Sequence, residues 1–448
     1  MRVQEGRPFC LSLSDSRFPS MRLYIAALIL PLVNHAREIP VEDAAALTQA
    51  IKAAAPGDTI LLREGEWVDT VIKFKGQGTE AAPITLRAAV PGKTVFTGAS
   101  ALRIGGQHLV VEGLWFQNPD PGVGDTIEFR IDSKNLARHC RLTGCAITLD
   151  PERARKDEKD SRWVGIYGVD NQVDHCHLQG KASKGATLVV WLGGDNVGRH
   201  VIEHNYFGPR EVLGKNGGET IRIGDSTTSM QTAECIIRQN LFEKCNGEVE
   251  CISNKSCGNL YQENTFIEVS GTLTLRHGNA CIVERNGFFG NHARGTGGIR
   301  IIGEDHIIRD NYLENLAGED ARCAITFMMG LPDSPLYGYF QVKRARVEGN
   351  RMVNCKHPFL IALEGSKMSG KPNLPPVDCV ISGNKVSSPK STIVEVRCDL
   401  AGIRWQDNQF YGKEPGVPIN EGFGWGKDPA IEKIQPLART SAGPVWWQ

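Results

Sequence analysis

Glu248 and Glu250 stand two residues apart, so on a β-strand both carboxylates would project to one side. Two carboxylates that close repel each other unless a cation neutralises them. Asn216 adds a carbonyl oxygen if the chain returns past the same point, and such an all-oxygen set suits calcium, whose shell takes ~6–8 oxygens, with water and substrate filling the rest. The plainer alternative is a pair of solvated surface glutamates. Lys255 and Arg276 form a second pair, 21 residues apart. A lysine beside another cation and partly buried has its charged form disfavoured and can act as a general base. The alternative here is an ordinary salt-bridging pair on a surface strand.

What could bring these residues together is an internal repeat. An Asn with a polar neighbour before it and apolar or aromatic residues after it recurs at Asn205, Asn240, Asn264, Asn286, Asn311, Asn350, Asn384 and Asn408. Successive positions differ by 35, 24, 22, 25, 39, 34 and 24 residues. The short gaps fit one coil of a parallel β-helix and the long ones a coil with a loop insertion. Asn suits a stacked corner because it tolerates left-handed backbone and hydrogen-bonds neighbouring main chain. Short β-branched runs such as Ile236-Ile237 and Ile307-Ile308 precede the motif and would supply strands. Helical periodicity is missing, which disfavours an α-solenoid, and a propeller repeats at ~40–45 residues, which only the longest gaps approach.

Counted from the preceding ladder Asn, the candidate residues fall in similar slots. Asn216 lies 11 after Asn205, Glu248 and Glu250 lie 8 and 10 after Asn240, and Lys255 lies 15 after Asn240. Arg276 lies 12 after Asn264 and Arg300 lies 14 after Asn286. Stacked coils would put all of them on one face.

The chain has 448 residues, 49 of them Gly, with 51 basic and 51 acidic residues. Zero net charge gives no overall field for nucleic acid or an anionic membrane, so an anionic substrate must meet a local basic patch. Met21-Arg22, the apolar run Leu23 to Val33 and Ala36 read as a leader that starts at Met21 and is cleaved after Ala36. The run is too short for a span of about 20 residues, so a secreted or periplasmic protein is expected; a buried helix is the alternative. The twelve cysteines beyond the leader permit disulfides without dictating them, and core packing accounts for most. An Ala-rich helix from about Val41 to Ala55, stopped by Pro56-Gly57, would cap the first coil. Residues 1–36 are thus read as upstream segment and leader, 37–411 as an all-β right-handed parallel β-helix, and the Pro- and Gly-rich 412–448 as a tail packing back on the solenoid.

The stretch from Asn240 to Asn291, with Glu248-Val249-Glu250, Asn254-Lys255-Ser256 and Leu275-Arg276-His277-Gly278-Asn279, resembles polysaccharide lyase family 6, the alginate lyases and chondroitinase B. Asn216-Gly217-Gly218-Glu219-Thr220-Ile221-Arg222-Ile223-Gly224 resembles the metal-side motif of that family. The resemblance runs more weakly from about residue 40 to the end. It implies Lys255 as Brønsted base, Arg276 on the acid side, and Asn216, Glu248 and Glu250 as Ca2+ ligands. It further implies substrate contacts from His277, Arg300 and Arg222. Asn254 departs from the Ser of many relatives, with little effect expected. The implied activity is β-elimination on an acidic polysaccharide. Alginate is favoured because Glu219-Thr220-Ile221-Arg222 resembles the alginate-directed branch. A dermatan sulfate lyase of the chondroitinase B type is the near alternative, and a non-catalytic glycan-binding solenoid the distant one.

Overall fold

The computed structural model describes residues 36–122, 124–153, 160–365 and 371–447; the leader, except its last residue Ala36, lies outside them. Three parallel sheets of 14, 13 and 14 strands run the length of the chain, each coil contributing one short strand to each sheet. This is the expected right-handed parallel β-helix. Strand pairing steps regularly from coil to coil, as in Val201 with Ile236, Ile236 with Leu260, Leu260 with Ile282 and Ile282 with Ile307. Alternate residues of each strand point into the solenoid, where Phe207, Phe242, Phe266 and Phe288 stack at centroid spacings of 4.9, 4.7 and 4.5 Å. These spacings match the separation of hydrogen-bonded strands, so each ring rests on the one below at contact distance.

All eight repeat asparagines are buried and form one continuous ladder. Asn264 is representative. Its Oδ1 accepts from the backbone N of Asn240 at 3.1 Å and from Asn240 Nδ2 at 3.0 Å. Its own Nδ2 donates to the Ile237 carbonyl at 2.8 Å and to Asn286 Oδ1 at 2.9 Å. The left-handed corner falls one position earlier than expected. His204, Gln239, Glu263, Arg285, Asp310 and Asp407, each preceding a ladder Asn, have φ between 52° and 56°. The Asn is there for its amide, and the residue before it makes the bend.

A second ladder was not anticipated. Asn171 Oδ1 accepts from Cys140 N, His200 Nδ1 from Asn171 N, Asn259 Oδ1 from Cys235 N and His306 Nδ1 from Cys281 N. Asn and His alternate here because either presents one acceptor to a backbone N–H. Burial pushes the His200 imidazole down to about 3 and that of His306 to about 4.

The capping helix spans Ala44–Ala53, with Asp43 Oδ1 accepting from Ala46 N at 2.8 Å. Leu47 and Ala50 are its buried residues, and they close the apolar end of the first coils. Among the described residues no helix is long and apolar enough to cross a membrane. All twelve cysteines there are free and ten are buried, so they serve as small core residues. The solenoid runs past the expected boundary at Gly412, because Asn408–Glu414 and Phe423–Trp425 are strands of the third sheet. Beyond them the chain turns back along the solenoid. Leu437 N donates to Thr265 Oγ1 at 3.2 Å, Arg439 sits 3.7 Å over the Tyr206 ring, and Trp446 Nε1 donates to the Gly144 carbonyl at 2.7 Å.

The ladder sets a stability test. Asn264→Leu keeps the volume but orphans the N–H of Asn240 and the carbonyl of Ile237, and each buried group left unpaired costs about 1–3 kcal/mol. Thermal unfolding followed by circular dichroism is expected to show a clearly lowered midpoint, and an unchanged midpoint would mean the ladder is dispensable.

Candidate active site

Four consecutive strands of the second sheet, Ile221–Ile223, Glu250–Lys255, Thr272–His277 and Ile299–Ile301, carry most of the candidate residues. Their register sets Arg222, Ser253, Thr274 and Arg300 in one outward row. Lys255 pairs with His277 in the next. Pairing shifts between Asn254 and Lys255 insert Arg276 as an extra residue, and a bulge of this kind re-aims side chains. Arg276 therefore stands beside the Lys255 row, and His277, not Arg276, faces Lys255. Glu248 lies on a bend before the strand begins at Glu250, so its approach to Glu250 comes from the bend and not from strand alternation.

The basic half converges on Glu250, which is 9% exposed. Its Oε1 takes a short contact from Arg300 Nη2 and lies 3.7 Å from Arg276 Nε, while Oε2 accepts from Ser253 Oγ at 2.5 Å. Burial alone would raise this carboxyl, but Arg300, Arg276 and Lys255 together hold it below the usual range. Lys255 is half-buried, and its amine makes no hydrogen bond or ion pair among the described residues. Arg276 is 8% exposed; its Nη1 donates to the Gly338 carbonyl at 2.7 Å and its Nη2 to that of Tyr337 at 3.1 Å. Burial, with the charges of Arg276 and Lys255, pushes the His277 imidazole down to about 3. Asn254 faces inward behind Lys255, its Nδ2 donating to the His277 carbonyl at 2.8 Å while Oδ1 accepts from Tyr261 Oη at 2.7 Å. It is a polar node that ties the two central strands together.

The acidic half lies on the preceding coils. Asn216 is exposed, and the next residue, Gly217, donates its N–H to Glu248 Oε2 at 3.2 Å. Burial, together with the charges of Glu219 and Glu250, raises the Glu248 carboxyl to about 8. Glu219 is 2% exposed, and its Oε2 is buried without a hydrogen-bond partner among the described residues. Gly218 and Gly247 let the two loops touch, since a Cβ on Gly218 would lie 2.5 Å from the Gly247 carbonyl carbon. Behind them Arg210, 3% exposed, donates to the carbonyls of Ser183, Gly185, Gly217 and Glu219. Among the described residues no three His, Cys, Asp or Glu side chains already converge as a metal cluster. The unpartnered oxygen of Glu219 and the raised Glu248 carboxyl are nevertheless what a hard cation would relieve, so the donor set fits calcium.

The sequence-predicted residues thus collect on adjoining coils. Arg222 lies 5.0 Å from the Trp191 ring centroid, and its Nε is buried without a hydrogen-bond partner among the described residues. Arg210 escaped sequence reasoning because a lone Arg after Gly-Pro carries no pattern. Glu219 sat in the quoted motif, but only its burial beside Glu248 reveals its part.

The chondroitinase B family model matches residues 41–400. No curated protein matches the chain. Among solved structures it is similar to the PL6 family alginate lyase AlyGC, with 40% identity and a TM-score of 0.83, over 91% of this chain and 56% of that one. The chain therefore spans just over half the length of that relative. It is also similar to a mannuronic acid specific polysaccharide family 6 lyase from human gut microbiota, with 30% identity and a TM-score of 0.79, over 92% of this chain and 96% of the other. A PL6 family polysaccharide lyase from Pseudopedobacter saltans shares 26% identity with a TM-score of 0.73 over 91% and 99% of the two chains.

His277 offers a direct check on these electrostatics. Its pKa near 3, against 6.5 for a free imidazole, means that the folded chain refuses a proton which the unfolded chain accepts. This group therefore makes folding less favourable as pH falls from 6.5 towards 3. Nitrogen NMR of labelled imidazoles is expected to show His277 neutral from pH 7 down to about 4, and titration near 6.5 would contradict its burial between two cations.

Proposed function

Because this chain belongs to polysaccharide lyase family 6, the family of chondroitinase B, we propose that it cleaves alginate by β-elimination, with Lys255 as the base and Ca2+ as cofactor. The observation that carries this reading is the free amine of Lys255, which pairs with His277 across the strands and neighbours the Glu250, Arg276 and Arg300 cluster.

The residues divide the work by charge. Arg222 and Arg300 bind uronate carboxylates along one row. Lys255, whose amine makes no hydrogen bond or ion pair among the described residues, takes the proton from C5 of the bound uronate. The electron pair left behind forms the C4–C5 double bond and expels the glycosidic oxygen at C4. Arg276 lies on the side of the departing oxygen and His277, neutral, orients the sugar through its N–H. Asn216, Glu248 and Glu250, with Glu219 beside them, would hold calcium, which supplies positive charge to the uronate carboxylate as the C5 proton leaves. Glu250 is shared between the two halves, so its pairing with Arg300 and Arg276 couples the cation side to the base side.

Alginate is preferred because the relatives at 40% and 30% identity are described as an alginate lyase and a mannuronic acid specific lyase. Dermatan sulfate is the second reading, favoured by the chondroitinase B family match over residues 41–400. A polymeric substrate of either kind is met outside the cell membrane, which agrees with export of the chain to the periplasm or medium.

Purified protein incubated with alginate and, separately, dermatan sulfate is expected to release product with the ultraviolet absorbance of an unsaturated uronate from alginate alone. Lys255→Ala should lower that rate at least about a hundredfold while leaving the circular dichroism spectrum intact. A chelator should suppress activity and added Ca2+ restore it. Calorimetric Ca2+ binding should weaken in Glu248→Gln. Binding of alginate without unsaturated product would favour a glycan-binding solenoid, and product from dermatan sulfate alone would favour the second reading.

A further inference from the structure

On the second sheet Ile166 pairs with Val190, Val190 with Ile223 and Ile223 with Asn254, and all four are fully buried. The residue after each faces outward, so Tyr167, Trp191, Gly224 and Lys255 stand in one column along the solenoid, which His277 continues. Glu128 pairs with Gly165, which sets Arg130 before Tyr167 in the same column.

Side chains fill this column from one end as far as Trp191. The Arg130 guanidinium lies 3.8 Å from the Tyr167 ring centroid, and the rings of Tyr167 and Trp191 stack at 6.0 Å with 18° between their planes. Arg162, tied to Asp125 at 2.8 Å, lies 5.4 Å from the indole centroid. Because the groups stack from coil to coil, one face of the indole meets Tyr167 and the other looks towards the next coil. There the column has a gap. Gly224 has a φ of 79°, and a Cβ on it would lie 2.7 Å from the Lys255 carbonyl oxygen, so no larger residue fits. Trp191, partly exposed, and Lys255 are thus two strand spacings apart, roughly 10 Å, with a glycine between them. Polar groups border the gap on both flanks. Arg222, two residues before Gly224, lies 5.0 Å from the indole centroid and makes no ion pair among the described residues. The loop after Gly224 brings Ser226 Oγ to 3.5 Å from His277 Nε2.

We propose that the gap over Gly224 seats a single uronate ring and that Trp191 is the wall on which that ring stacks. This assignment rests on the lyase reading above and adds to it the residue that holds the sugar against the base. A pyranose has an apolar face of C–H groups that packs on an aromatic ring, while its carboxylate and hydroxyls need polar partners at the edges. The indole bears on the apolar face, Arg222 takes the carboxylate, and the ring is kept where its C5–H is within reach of the Lys255 amine. The stack of Arg130 and Tyr167 behind the indole gives the wall its rigidity.

Trp191→Leu leaves an apolar side chain at the end of the stack without a flat face, and Trp191→Phe restores a flat face. In the full-length protein with Ca2+ present, KM for alginate is expected to rise about tenfold in Trp191→Leu and to return most of the way in Trp191→Phe, with the thermal midpoints of both near wild type. Binding is read without turnover in Lys255→Ala. A mannuronate tetrasaccharide should change the tryptophan emission of that variant, and the change should disappear when Trp191→Phe is added. An unaltered KM in Trp191→Leu would overturn the assignment, as would an emission change that survives the loss of Trp191. Equal losses in the Leu and Phe variants would overturn it too, since a buttress needs the whole indole and a stacking wall only a flat ring. If the wild type forms no unsaturated product from any uronate polymer while the tetrasaccharide still changes Trp191 emission, the lyase reading fails and the seat stands. Product from the wild type with neither effect removes Trp191 alone.

Discussion

Each ladder Asn satisfies main-chain and side-chain groups of the coil before it and is satisfied by the coil after it, from Asn205 through Asn408. A slip of any coil by one residue would orphan several buried amides at once and turn the core side chains to solvent. Register is therefore specified twice, by the amide ladder at one corner and by the Asn and His ladder at another. The site depends on that registration, since Arg222, Ser253, Thr274 and Arg300 share a row only because their coils cannot shift.

On this rigid frame the protein gathers charges that would not otherwise be buried together. Glu250 is kept ionised by three cations, while Glu248, two residues earlier, is pushed the other way by burial and two neighbouring carboxylates. Two glutamates separated by one residue thus face opposite fields across one short bend. Arg210 steadies the acidic loop from behind through backbone carbonyls. On the other side Arg276 is held by the carbonyls of Gly338 and Tyr337 and lies against the Tyr339 ring.

The amino-acid sequence by itself determined the architecture and which of the candidate residues adjoining coils would bring together. A solenoid must repeat its corner residue, so the spacing of Asn205 to Asn408 was sufficient to infer coils, and the offsets from each Asn were sufficient to bring Asn216, Glu248, Glu250, Lys255, Arg276 and Arg300 to one face. The end of the solenoid lies beyond the expected boundary at Gly412, because Pro and Gly there look like a linker while strands still pair through Trp425. What only the tertiary structure decided is which side chains meet. The bulge that sets His277, and not Arg276, across from Lys255 leaves no mark in residue spacing, because an extra residue in one strand is visible only against its partner. The same holds for Glu219 beside Glu248, Arg210 behind the acidic loop and Tyr339 beneath Arg276. The last is brought in by an insertion that lies 63 residues beyond Arg276 in sequence and whose contacts no periodicity encodes.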